Sequence, residues 1–113
     1  MLTSTSIPEI ADQKSDSAAW KARAASALLK SVGHQTRLLI LCILSEREKT
    51  VSELEELLGL QQAIVSQQLA RLRNDGLVHT RRDGRQIYYS ISKPGTQLFL
   101  KSLFGMLPSQ DNA

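Results

Sequence analysis

Cysteine occurs once in this sequence, as Cys42, so no intrachain disulfide can form and the fold must hold without one. Long hydrophobic runs are missing too. The longest, LLILCIL at 38–44, falls far short of the roughly 18 residues that suggest a membrane span. The N-terminus, MLTSTSIPEIADQ, lacks the basic start and apolar stretch of a secretory signal, and a cytoplasmic location is expected. Histidine is scarce. His34 and His79 stand apart from each other, and His34 reads as a helix cap or surface residue, His79 as a strand residue. Aromatics amount to 4%, and neither Tyr88 nor Tyr89 is read as stacking on bases. No paired carboxylates, no Ser/His or Cys/His arrangement and no phosphate-cradling glycine loop can be assembled, which speaks against an enzyme.

What is present suits one small domain. The 113 residues are 42% hydrophobic and 22% charged, so the chain is neither membrane-like nor disordered by composition. The net charge of +3 is unevenly spread: residues 1–59 carry seven basic and eight acidic side chains, residues 60–113 seven and three. Five basic residues of the second half, Arg71, Arg73, Arg81, Arg82 and Arg85, lie within fifteen positions. Arginine forks onto phosphates and guanine edges better than lysine does. Charge alone would nevertheless be read as a solvated basic face.

Periodicity divides the chain into a polar arm at 1–16, a folded unit at 17–107 and a polar tail at 108–113. AAWKARAASALLKSV at 18–32 is rich in helix formers, with Gly33 placed to end it. In TVSELEELLGL, Ser52 with Glu55 three positions on reads as a capping box, and Gly59 as the stop of a short helix. Gln62–Asn74 has Val65, Leu69 and Leu72 on one stripe of a helix. With only Gly59, Leu60 and Gln61 between, the two segments make a helix-turn-helix. The period then changes to that of strands at 78–82 and 87–91, flanking Asp83-Gly84, a hairpin signal. The segment TQLFLKSLFGML returns to a helical pattern, with Leu98, Phe99, Ser102, Leu103 and Met106 along one side. The fold expected is mainly α with a small β-hairpin wing, in the order α-α-α-α-β-β-α, and LLILCIL is the helix buried beneath the helix-turn-helix.

A helix that enters the major groove needs one face held in the protein and another bearing side chains that read base edges. With Val65, Leu69 and Leu72 inward, steps of 100° turn Ala63, Ser66, Gln67, Ala70, Arg71 and Asn74 outward, with Gln62 and Gln68 at the margins. Gln suits adenine, Arg guanine, Ser either base, and an Ala methyl the thymine methyl. Arg82 and Arg85 flank the expected wing tip, within reach of phosphates or the minor groove. The candidate DNA-binding set is therefore Gln61, Gln62, Ala63, Ser66, Gln67, Gln68, Arg71, Arg82 and Arg85.

The stretch Ala27–Ser92, which holds LLKSVGHQTRLLILCIL and VSELEELLGLQQAIVSQQLARLRNDGLVHTRRDGRQIYYSI, resembles the ArsR/SmtB family of bacterial winged-helix repressors. The resemblance implies a homodimer built on the first and last helices, a palindromic double-stranded DNA operator and release by a signal. Two recognition helices related by a twofold axis would place half-sites about 34–36 Å apart. The family usually has serine at the start of the recognition helix and histidine late in its motif, where this chain has Gln61, Ala63 and Gln68. Gln61 makes a poor N-cap, so about 1 kcal/mol of capping is expected to be absent.

Metal sensing, common in the family, finds no Cys/His/Asp/Glu set on the helix before the recognition helix or on the last helix, and no metal or other cofactor is expected. The chain is most similar to the HlyU/BigR-like sulfur and redox branch, which pairs a cysteine in the second helix with one near the end of the last. Cys42 matches the first position, and Pro108 falls where the second would lie. Three readings stay open: a repressor with Cys42 as a packing residue, one that responds to persulfide or oxidant through Cys42 alone, and a winged-helix protein-interaction module without specific DNA binding.

Overall fold

The computed structural model describes residues 7–109. In chain order it contains α1 (Ile7–Val32), α2 (Gln35–Glu46), β1 (Lys49–Thr50), α3 (Val51–Leu58), α4 (Gln62–Asn74), β2 (Val78–Asp83), β3 (Gln86–Ile91) and α5 (Pro94–Gly105). The expected order is present, with one added strand. α1 already begins at Ile7, within the stretch 1–16 expected as a polar arm. Pro8 then stands in the first turn, where its missing N–H would have no helical partner in any case. Residues 1–6, and 110–113 of the expected tail, lie outside the described residues.

α1 and α2 meet at a bend of 97°. Gly33 at the bend is needed for clearance: a Cβ there would sit 2.9 Å from the Leu29 carbonyl oxygen. His34 caps α2, its Nδ1 accepting from the Thr36 N–H at 3.2 Å, as its position suggested. LLILCIL is helical and central. Ile40, Leu41 and Leu44 of α2 pack with Leu54 of α3 and with Val65, Leu69 and Leu72 of α4, all essentially out of solvent. Burying each such side chain stabilises the fold by about 1.5–3 kcal/mol before entropy is subtracted. No single helix among the described residues is long and apolar enough to cross a membrane.

The cap of α3 lies two residues earlier than the sequence suggested. Thr50, not Ser52, is the N-cap: its hydroxyl accepts from the Glu53 N–H at 3.2 Å, while its own N–H donates to the Glu53 carboxylate at 2.9 Å. Thr50-x-x-Glu53 and Ser52-x-x-Glu55 satisfy the same pattern, and pairing decides between them. β1 holds Thr50 extended against β3, with Lys49 opposite Tyr89 and Thr50 opposite Tyr88, so the helix starts immediately after it. The sheet order is β1-β3-β2. β1 was not legible, since two residues carry no periodicity.

The wing turns one position later than Asp83-Gly84. Asp83 pairs with Gln86, which leaves Gly84-Arg85 as the loop, and Gly84 supplies the positive φ of 66°. α5 also departs from its expected stripe. It buries Thr96 and Leu100 and half-buries Phe99 and Leu103, while Leu98 and Met106 are 66% and 78% exposed. Among the described residues only one edge of α5 is packed.

Candidate nucleic-acid interface

α4 is oriented by its apolar stripe. Val65, Leu69 and Leu72 are fully buried, so Ala63, Gln67, Ala70 and Asn74 on the opposite side are exposed. Two flanks separate these faces. Gln62, Ser66 and Arg73 share one; Ile64, Gln68, Arg71 and Asp75 share the other, at i, i+4, i+7 and i+11. Gln61 is the N-cap and makes no side-chain cap, its carbonyl alone accepting from the Ile64 and Val65 N–H groups at 3.1 Å. The first amides of α4 thus keep donors to offer at the positive end of a helix. Downstream, the Leu77 N–H bonds the Leu72 carbonyl at 2.9 Å and the Gly76 N–H that of Arg73 at 3.0 Å, a Schellman closure that sets the start of β2.

The residues singled out in the sequence do not all stand free. Gln68 is half-buried, and its Oε1 accepts from Arg37 Nη1 at 2.8 Å. Arg71 donates from Nε to Asp75 Oδ2 at 2.9 Å, which leaves its two terminal nitrogens available. Burial pushes the Asp75 carboxyl up, but the Arg71 hydrogen bond, the Ser31 hydroxyl and the charges of Arg71 and Arg37 outweigh it and hold Asp75 below its usual range. The Ser31 hydroxyl acts on that carboxylate by proximity, since it meets no partner at hydrogen-bond geometry.

Arg81 is also engaged, and it braces the wing. Its Nε and Nη2 donate to the two carboxylate oxygens of Glu48 at 2.8 and 2.6 Å, and its guanidinium lies 4.5 Å over the Tyr88 ring. The Arg81 hydrogen bond holds the Glu48 carboxyl below its ordinary value. Among the described residues, Arg73, Arg82 and Arg85 form no side-chain hydrogen bond or ion pair. Free guanidinium groups therefore stand at the tip of the wing and on α4, as well as at Arg23 on α1. The role of Arg37 was missed from the sequence, because its partners are not neighbours along the chain.

Cys42 is half-buried and lines a cleft of about 400 Å³ together with Gln97, Lys101 and Phe104 of α5. Burial raises its thiol pKa, which keeps the thiol protonated. Among the described residues, no three His, Cys, Asp or Glu side chains form a group that could hold a metal ion.

Residues 34–80 match the family described as "Bacterial regulatory protein, arsR family". The chain is 36% identical over 91 residues to the biofilm growth-associated repressor of Xylella fastidiosa, covering 80% of either chain. This chain belongs to the ArsR family. It is also 40% identical over 79 residues to the transcriptional activator HlyU of Vibrio cholerae, covering 70% of this chain and 73% of HlyU. The crystal structure of the repressor BigR from Xylella fastidiosa superposes with a TM-score of 0.77 at 35% identity, over 84% of this chain and 97% of BigR. A homodimeric winged helix-turn-helix DNA-binding domain from Mycobacterium bovis gives 0.72 at 26%, over 80% and 83%. As an ArsR-family member the chain is a winged-helix, DNA-binding transcription regulator and not an enzyme, and the reading as a module without DNA is set aside.

Proposed function

We propose that this regulator acts as a homodimeric repressor in the cytoplasm, inserting α4 into the major groove of a palindromic operator, with no metal or other cofactor. Gln62, Ala63, Ser66, Gln67 and Arg71 read bases, Gln61 opens the helix toward the backbone, and Arg82 and Arg85 hold phosphates or the minor groove from the wing. Gln68 supports the helix from its flank. The observation that carries this reading is the division of the wing arginines: the Arg81 guanidinium is tied to Glu48, while Arg82 and Arg85 form no side-chain bond and stand on the same chain as the exposed polar face of α4.

The dimer is supported by apolar surface that one chain does not cover. Trp20 on α1 and Leu98, Phe104, Met106 and Leu107 in and after α5 are exposed. Trp20 stands on the same side of α1 as Ala24, Ala27 and Ser31, which line an open cleft of about 390 Å³ facing Lys93, Gly95 and Thr96 at the start of α5. The likeness to a homodimeric domain agrees with that use of the surface. Cys42 is read as a packing residue, since a thiol kept protonated by burial is a poor nucleophile.

Selection from random oligonucleotides, followed by gel shift across a salt series, tests the proposal. The expected result is a palindrome whose complex weakens steeply with salt, bound by a species of dimer mass. No salt-sensitive complex, or a monomer at micromolar concentration, would contradict it.

A further inference from the structure

We propose that Arg37 is a positioning residue for DNA reading, fixing the rotation of α4 by tying Gln68 to the C-terminal end of α1. Arg37 lies in the first turn of α2, behind the reading face. Its guanidinium reaches three acceptors on two other helices, α1 and α4: Nε donates to the Ser31 carbonyl at 2.6 Å, Nη2 to the Lys30 carbonyl at 3.4 Å, and Nη1 to Gln68 Oε1 at 2.8 Å. The two carbonyls belong to the last turn of α1, where backbone oxygens lack helical partners and the helix dipole favours a cation. α1 is thereby capped by a side chain from the next helix, and the same side chain holds α4.

The need for such a tie follows from the packing of α4. Val65, Leu69 and Leu72 decide which face is buried, but apolar contacts are non-directional and define rotation about the axis loosely. At a helix radius of about 5 Å, a rotation of about 20° moves a side-chain tip by roughly 2 Å. That exceeds the distance range of roughly 0.5 Å within which a base hydrogen bond forms. A fork hydrogen-bonded to the Gln68 side chain restricts this rotation. The charge of Arg37 also contributes to holding Asp75 ionised, and Asp75 in turn orients Arg71 on the same flank. Lysine would keep the charge but cannot present a planar fork to three acceptors.

This inference rests on the proposed reading role of α4, and operator preference separates the two. The selected operator duplex and a scrambled duplex are titrated with wild type, Arg37→Lys, Gln68→Leu and the double variant, with thermal melting of each. The expected result is about tenfold loss of operator preference in either single variant, no further loss in the double, and little change in scrambled-duplex affinity at low salt. Wild-type operator preference in Arg37→Lys, or losses that add in the double variant, overturns the role of Arg37. If Arg37→Lys melts early, Gln68→Leu still decides: an unchanged operator preference there also overturns it. A wild type without preference overturns the proposed function, and this inference with it.

Discussion

Arg81 and Glu48, thirty-three residues apart, meet as a two-pronged pair with bonds of 2.8 and 2.6 Å, and this joins the wing to the segment that leads into the helix-turn-helix. Arg81→Ala is expected to weaken operator binding several-fold, because the hairpin then samples orientations that do not meet the backbone. Fluorescence anisotropy measures this, and an unchanged affinity would show the brace to be irrelevant. The pair also has a pH signature. Glu48 is held below its ordinary value of 4.5, chiefly by Arg81, so its contribution is complete above that pH and is lost as the pH falls through the lowered value. The acid limb of stability should therefore flatten in Glu48→Gln.

Thr50 and Ser52 make opposite predictions from the same sequence pattern. Thr50→Ala should cost about 1 kcal/mol by loss of the N-cap, whereas Ser52→Ala inside the first turn should cost a few tenths at most. Denaturant midpoints of the two variants compare them directly.

Arg82→Ala and Arg85→Ala should weaken binding to all duplexes about equally, each lowering the slope of log affinity against log salt by about 1. Gln67→Ala should behave differently, with a loss of about 1–3 kcal/mol of discrimination confined to one base position. A selected consensus left unaltered by Gln67→Ala would remove that residue from the reading set.

For Cys42, modification by an aromatic disulfide at pH 8 should be much slower in the native protein than in urea, because burial raises the thiol's pKa. Cys42→Ser should lower stability by about 1 kcal/mol through a poorly satisfied hydroxyl and leave any response to peroxide or persulfide as in wild type. A well-folded Cys42→Ser protein that no longer responds would identify Cys42 as the sensor.

Local pattern made much of this molecule legible. The Val65/Leu69/Leu72 stripe, the Gly59-Leu60-Gln61 turn and the hairpin rest on patterns within a few residues, the LLILCIL helix was legible from its place before the helix-turn-helix, and the structure has them all. What was not legible depends on partners far along the chain. Ser52 lost the cap because β3, more than thirty residues away, holds Thr50 extended. Gln68, expected at the margin of the recognition face, also accepts from Arg37, thirty-one residues distant. The start of α1 at Ile7 escaped because its first residues carry no apolar stripe. The α5 stripe differs from the expected one because the described residues pack against a single edge of it.

Thr50 serves two structures at once. It is the end of β1, opposite Tyr88, and the residue whose hydroxyl and amide close the first turn of α3. Lifting the hairpin off would uncap that helix, so the wing has no independent opening reaction through β1. Amide protons in β3 and in the first turn of α3 should accordingly exchange with solvent in a single shared event, as one cooperative block rather than as two modules.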